Sequence, residues 1–403
     1  MPTPVKRAPR KATAAAVKTP AGKGERRKAS MAIAAQINRD KDFGEGTVVL
    51  ASQVQIPDRQ STGALAFDVA MTGGLPVNQW TEVIGNESSG KTTFVMKSLA
   101  DAQRRDEEFF CVWVASESFD PRQAEMCGVD MDRVYLIEEN IMELAFKAVL
   151  LFVEGRACDM VVIDSYPALV TQLEDNKGMD EITMGGAKIL NLFMRKCTKA
   201  SKRSMTDAED RPFSGVIVNQ WREKIGVIHG DPRTTPGGKG KNFWMYARLE
   251  VRRDEWITNT QKEKVGQVIK LVCIKMKGAR PQQIGVVDYY FVDHGEFSAG
   301  EYDTFKQIIN LSLLFDVVER SGTGYKGPEG QFIKSRDLLV ETLSSDVEWR
   351  ARVERDVLAI AKRGKAPTEI DDDVVLHVVP DEDDDDDEVA AARPRRRRKT
   401  VVA

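Results

Sequence analysis

Gly85-Asn86-Glu87-Ser88-Ser89-Gly90-Lys91-Thr92-Thr93 decides how this chain is read. The residues before it, Thr81-Glu82-Val83-Ile84, read as a strand, and residues 94–100 read as a helix. Glycines at 85 and 90 let the backbone turn its N–H groups inward, and the helix that follows adds its positive end to a concave anion site. Between a strand and a helix, Gly-x-x-x-x-Gly-Lys-Thr is a phosphate-binding loop. Lys91 can neutralise β- and γ-phosphates, and the Thr92 hydroxyl can ligate Mg²⁺.

Two further stretches complete a nucleotide site. Met160-Val161-Val162-Ile163-Asp164-Ser165 is an apolar strand ending in a carboxylate, the pattern in which Asp164 holds Mg²⁺ through water. In Val114-Ala115-Ser116-Glu117-Ser118-Phe119-Asp120-Pro121, Glu117 comes just after a strand and can act as general base or orient a water. Phosphoryl transfer needs a magnesium site, a positioned water and charge compensation, and the loop, Asp164 and Glu117 offer a candidate for each.

The 403 residues suffice for one large domain with smaller appendages, and 42% hydrophobic residues can build a core. No apolar run reaches the ~18 residues of a membrane span. The N-terminal residues lead into no apolar segment, so a cytoplasmic protein without membrane partners is expected. Five scattered cysteines and three histidines argue against a zinc site, a disulfide framework and Ser-His-Asp chemistry. The net charge of −3 conceals segregation, with basic residues gathered at the start and an acidic block near the end.

Ser61-Thr62-Gly63-Ala64-Leu65-Ala66-Phe67-Asp68, then Gly73-Gly74-Leu75-Pro76 and the phosphate loop, resemble the RecA family of recombinases. The resemblance runs from about residue 31 to 363. In RecA proteins an acid of an Asp-Ala-Glu or Asp-Ser-Glu group serves catalysis ahead of a proline. Here the spacing to Pro121 is one residue shorter. Either one residue is deleted and Glu117 aligns, or Ser116 takes the position; a serine cannot serve as base, which favours Glu117. The family's adenine-stacking tyrosine corresponds to Gln123. By the same resemblance, Lys275 and Lys277 reach across a subunit interface to the neighbour's γ-phosphate, and Gln220 is the γ-phosphate sensor linked to a DNA-binding loop. Phe243 matches the residue that relays that change between subunits; its bland reading is a core aromatic beside Trp244.

Residues 221–241 form a long, glycine-rich basic stretch suited to a loop that orders on a phosphodiester backbone. It resembles the second DNA-binding loop of RecA, which points to Arg222, Lys224, Arg233, Thr234, Thr235, Gly237, Gly238 and Lys239 as contacts, with Lys241 among the loop's cations. Residues 173–187 resemble the first such loop, with Met184 as a wedge between bases. Lys188, Asn191 and Arg195 then match backbone-contacting positions on the following helix; a solvated helix face is the competing reading.

The fold expected is an α/β RecA-type ATPase core with a largely parallel sheet flanked by helices. Strands are expected at 80–84, 109–114, 160–163, 215–218, 249–252 and 268–274. The expected units are a disordered basic arm (1–30), an N-terminal helix at 31–43 capped by Ser30 with a polymerisation strand at 47–50 (31–60), the core (61–296), a small α+β C-terminal domain (297–364) and a disordered acidic then basic tail (365–403). In the C-terminal unit, residues 322–327 read as a turn between helices. The acidic run 381–388 is expected to compete with DNA for basic surface.

The resemblance implies a DNA-dependent ATPase that uses ATP and Mg²⁺ and forms a homo-oligomeric helical filament on single-stranded DNA. Such a filament pairs that strand with homologous double-stranded DNA and exchanges strands. The tails and the altered segment at 115–117 make the chain look more like a phage-type relative than a standard bacterial one. Two alternatives stay open: a ring helicase of the same fold, visible as closed rings in electron microscopy, and an ATP-binding coating protein with little turnover, distinguishable by nucleotide release with and without single-stranded DNA.

Overall fold

The apolar runs that read as strands lie side by side in one eight-stranded sheet. The computed structural model describes residues 22–43, 46–54, 59–177, 185–201, 213–223, 232–278 and 282–363. Residues 1–21, Met184, Lys224 and the expected tail lie outside the described residues.

The sheet comprises β1 Trp80–Gly85, β2 Cys111–Ala115, β3 Val134–Ile137, β4 Met160–Asp164, β5 Ser214–Gln220, β6 Met245–Thr258, β7 Lys264–Met276 and β8 Ile284–Tyr290. Their order is β8-β7-β6-β1-β5-β4-β2-β3. Neighbours from β6 to β3 run parallel, whereas β7 and β8 extend the other edge antiparallel. The helices are α1 Lys23–Arg39, α2 Leu65–Ala70, α3 Lys91–Arg105, α4 Pro121–Met126, α5 Met142–Glu154, α6 Gln172–Asp175, α7 Gly186–Ser201, α8 Gly238–Trp244, α9 Thr304–Leu314, α10 Arg336–Ser345 and α11 Val347–Lys362.

Central strands are buried on both faces, which is why they read as unbroken apolar runs rather than as alternation. In β4, Met160 and Val162 join a cluster with Phe94 and Leu99 of α3. Their neighbours Val161 and Ile163 point the other way, toward Phe146 and Val149 of α5 and Leu190 and Phe193 of α7. With helices on both faces and strand ends aligned, the loops at the carboxyl ends of β1, β2, β4 and β5 converge. No helix among the described residues is long and apolar enough to cross a membrane.

Three expectations change. Residues 23–30, expected in the disordered arm, belong to α1, whose Glu25, Arg26, Arg27, Lys28 and Ala29 are good helix formers. Ser30 does not cap that helix: its hydroxyl donates to the Arg26 carbonyl at 2.9 Å, inside it. Residues 47–50 form no ladder strand in this chain. Instead the Asn38 side chain pairs with both backbone groups of Val48, each at 2.8 Å, and satisfies them as a strand partner would.

In the C-terminal lobe, residues 319–321, 324–326 and 332–333 form a small antiparallel sheet. The turn expected between helices therefore opens a hairpin, with Gly322 at φ 59°. Ile308 and Leu311 of α9 and Val353 and Val357 of α11 belong to the same buried cluster as Phe67 of α2 and Phe94 of α3.

Candidate nucleotide and DNA site

All six residues of β1 are buried, and the strand delivers its last one, Gly85, to the start of the phosphate loop. A side chain at 85 would place its Cβ 2.3 Å from the Val251 carbonyl oxygen and 2.6 Å from Ser89 Oγ, so only glycine fits. Gly90 ends the loop as the N-cap of α3 at φ 95°, a left-handed conformation, and α3 then runs for 15 residues. The free N–H groups at its start give the loop its positive end. Lys91 Nζ donates to the Asn86 carbonyl at 2.6 Å. Burial lowers the Lys91 pKa, while the charges of Asp164, Glu117 and Glu87 pull it back up.

The facing wall comes from the ends of β2 and β4. Thr92 Oγ1 donates to Asp164 Oδ2 at 3.0 Å. Burial pushes the Asp164 carboxyl up to about 6, helped by nearby Glu117 and opposed by the Thr92 hydrogen bond and Lys91. The Asp164 carbonyl accepts from the backbone N–H groups of Ser116 and Glu117, both at 3.1 Å, tying the two strand ends together. The Ser116 hydroxyl turns inward and donates to the Ser165 carbonyl at 2.6 Å. The Glu117 carboxylate accepts from the Ser165 hydroxyl.

A cavity of about 690 Å³ opens between these walls, lined by Gly85 to Ser88, Lys91, Thr92, Glu117, Asp164, Ser165 and Gln220. Its size falls in the range of small-molecule sites. Trp221 and Arg253 also line it. Sequence reading missed both: Trp221 directly follows Gln220, and Arg253 lies on β6 just beyond the expected strand end. Ser89 Oγ is buried without a hydrogen-bond partner, and Thr93 is buried in the first turn of α3.

The donor set fits Mg²⁺. Thr92 and Asp164 offer hard oxygen atoms, and among the described residues no group of three or more His, Cys, Asp or Glu could hold a metal by itself. Magnesium commonly takes one or two protein oxygens and completes its shell with substrate phosphates and water.

Gln123 lies at the start of α4, and its Nε2 donates to Thr93 Oγ1 at 3.3 Å. Lys275 and Lys277 do not line this cavity. Lys275 Nζ donates to the carbonyls of Asn242 at 2.5 Å and Met245 at 2.8 Å, and Lys277 Nζ to that of Phe243 at 3.3 Å. Both lysines thus sit at the C-terminal end of α8, where a helix favours cations. Phe243 is 79% exposed, so it is not a core aromatic. Trp244 instead packs inward and donates to Asn191 Oδ1 at 2.9 Å.

The expected DNA contacts divide. Lys188 and Arg195 are exposed on α7, Arg222 at the base of the second loop and Lys239 in the first turn of α8. Asn191, between the first two, is engaged on both sides, by Trp244 and by the Ala187 carbonyl at 2.6 Å. Arg222 pairs with Thr234 and Glu223 with Arg233 in a two-stranded ribbon at the base of the loop. Arg233 lies 5.1 Å from the Trp221 ring centre and 3.4 Å from Glu250, while Trp221 Nε1 donates to the same carboxylate at 2.8 Å. Thr235 is buried and accepts from Lys241 at 2.5 Å and Arg248 at 3.3 Å. Gly237 and Gly238 take positive φ at the start of α8. Lys241, expected among the loop's DNA-facing cations, is fully buried against Glu82.

The profile of the RecA N-terminal domain matches residues 28–295, about two thirds of the chain. Protein RecA of Bacillus cereus (strain B4264) is 32% identical over 319 residues, covering 78% of this chain and 88% of that protein. Protein RecA of Bacillus licheniformis is 32% identical over 341 residues, with 83% and 93% covered. That of Trichodesmium erythraeum (strain IMS101) is 31% identical over 323 residues, with 79% and 85% covered. With the phosphate loop, Asp164 and Gln220 on one cavity of a RecA-type sheet, the chain belongs to the RecA family, the DNA-dependent ATPases of recombination and repair that use ATP and Mg²⁺ and form filaments on DNA.

Proposed function

We propose that this chain hydrolyses ATP with Glu117 as the group that orients the attacking water and accepts its proton. The observation that carries the assignment is the placement of the Glu117 carboxylate on the same cavity as Lys91, Thr92 and Asp164, steadied by the Ser165 hydroxyl. Lys91 and the N–H groups at the start of α3 hold the β- and γ-phosphates. Thr92 and Asp164 hold Mg²⁺, which when bound neutralises charge on the phosphates. Gln220, at the end of β5, senses the γ-phosphate and passes its presence to the loop that follows.

Lys275 and Lys277 act on the nucleotide of a neighbouring subunit, a reading supported by their distance in the fold from their own cavity. Turnover then requires a filament. Lys188, Arg195, Arg222 and Lys239 supply the exposed cations for the DNA backbone, with Lys224, Arg233, Thr234, Gly237 and Gly238 in the same loop and Met184 in the first. Sequence choice comes from base pairing within the filament, where single-stranded DNA is matched to a homologous duplex. A cytoplasmic location accords with DNA as the partner.

The deciding experiment is steady-state ATP hydrolysis by wild type and Glu117→Gln, with and without single-stranded DNA. The reading requires stimulation of the wild type by DNA and loss of turnover in the variant with nucleotide binding retained. A variant that turns over normally removes Glu117 from the mechanism.

A further inference from the structure

The most deeply buried ion pair among the described residues plays no part in the chemistry above. Glu82 and Lys241 are both fully buried, with Lys241 Nζ 2.5 Å from Glu82 Oε1. Arg248 Nε meets the other carboxylate oxygen at 2.6 Å, and Asn219 Nδ2 donates to Oε1 at 2.7 Å. Glu82, Asn219 and Arg248 come from three adjacent parallel strands, β1, β5 and β6, with Arg248 directly opposite Glu82 in the ladder. Apolar burial would hold these strands together as well or better, because a buried pair must first overcome the desolvation of two charges. A cluster of this kind in the middle of a sheet calls for a reason beyond stability.

Its connections supply one. Asn219 precedes Gln220, and its Oδ1 accepts from the Gln220 backbone N–H at 2.9 Å, while its Nδ2 also donates to the Pro236 carbonyl at 3.1 Å. Lys241 also donates to Thr235 Oγ1 at 2.5 Å and to Asn242 Oδ1 at 3.2 Å. The outgoing end of the second loop is thereby fastened to the strand that presents Gln220 to the nucleotide cavity. Glu82 itself lies three residues before Gly85, on the strand that feeds the phosphate loop.

We propose that Lys241, paired with buried Glu82, is a positioning residue for DNA-stimulated ATP hydrolysis: it locks the base of the DNA loop to Asn219 and so sets Gln220. This rests on the reading of Gln220 as the γ-phosphate sensor. Lys241 touches neither nucleotide nor DNA. Its effect passes through Thr235, Asn219 and Glu82, which connect the described flanks of the loop, at Arg222 and Thr234, to the strand that ends in Gln220.

The test measures kcat and KM for ATP with and without single-stranded DNA in Lys241→Met, in the double variant Glu82→Gln/Lys241→Met, and in Gln220→Ala, alongside thermal melts. In Lys241→Met, Glu82 keeps Arg248 and Asn219 as partners. The double variant removes the carboxylate's charge as well, which also takes the ion-pair partner from Arg248. Expected is a loss of DNA stimulation of about tenfold in both Lys241 variants, of the size usual for coupling between two sites, with KM within about twofold of wild type. Melts of Lys241→Met, in which the Glu82–Arg248 pair survives, should stay near wild type while stimulation is lost. Stimulation restored in the double variant along with its stability would show the pair to be structural only and overturn the proposal. If Gln220→Ala abolishes stimulation and the Lys241 variants keep it, the positioning role falls and the sensor stands; if Gln220→Ala keeps stimulation, both fall.

Discussion

Thr92 Oγ1 and Asp164 Oδ2 lie 3.0 Å apart, joining the first turn of α3 to the end of β4 across the floor of the nucleotide cavity. Both atoms are candidates for the same Mg²⁺ shell. Replacing Thr92 with Val keeps the shape and removes one ligand. The thermal stabilisation that Mg·ATP confers on wild type should shrink to that seen with ATP and EDTA, while the melting temperature without nucleotide falls by only the few degrees that one lost hydrogen bond of about 1 kcal/mol implies. Thermal melts with ATP, with and without EDTA, check this.

The Ser165 hydroxyl donates to Glu117 and so positions its carboxylate on the cavity. Glu117→Gln should lower kcat by at least about 10²-fold, the usual contribution of a general base. Ser165→Ala should cost less, with KM for ATP little changed in both. Equal losses from the two variants would assign Ser165 a more direct role.

Lys275 and Lys277 end on the carbonyls of α8, away from their own phosphate loop. A Lys91→Ala protein and a Lys275→Ala/Lys277→Ala protein should each be inactive alone. Mixed in equal amounts they should regain activity, because in a head-to-tail assembly roughly a quarter of the junctions then pair an intact loop with intact lysines. An inactive mixture that still forms filaments would show that the lysines do not act on the neighbour's nucleotide.

On the DNA side, Arg195 and Lys239 are exposed on separate elements. Each Ala substitution should weaken single-stranded DNA binding across sequences and reduce the slope of log K against log salt by about 0.7. Fluorescence anisotropy titrations from low to moderate salt measure that slope.

Asp68 offers a pH signature independent of the active site. It is buried and accepts from Ser61 Oγ, the Thr62 N–H and Thr62 Oγ1 at 2.7 to 2.8 Å, yet burial raises its carboxyl from 3.8 to about 6. Between those values the folded chain holds a proton that the unfolded chain has released, so this group's contribution to stability declines as pH rises. Asn at 68 keeps most of the hydrogen bonds and cannot ionise. Between pH 4 and 7, Asp68→Asn should therefore gain about 3 kcal/mol relative to wild type, measured by urea unfolding.

Much of this was legible because the central strands are long apolar runs that end in chemically distinctive residues, as at Gly85 and Asp164. Two strands of the sheet escaped notice. β3 is a short edge strand with Tyr135 and Leu136 exposed, so its four residues carry no burial pattern. β8 carries Gly285 as its second residue, whose absent side chain is explained by α2, with the Ala66 carbonyl 2.5 Å and the Phe67 ring 3.0 Å from where a Cβ would sit. Ser116 and Glu117 compete for one role in the text of the chain; in space the first turns to a backbone carbonyl and the second to the cavity. Lys241 is the clearest case of illegibility. Between Gly240 and Asn242 it reads as a solvated loop cation, and the acid that buries it lies 159 residues away.

The C-terminal lobe bears on how such a protein can be divided. Phe67 of α2 stacks edge-on against both Phe94 of α3, with centroids 5.6 Å apart, and Tyr302 at the entrance to the lobe, at 6.1 Å. Packing is continuous across the division expected near residue 296. A chimera that joined this ATPase core to another relative's lobe would have to match both sides of Phe67, so the two parts are inherited together or repaired together.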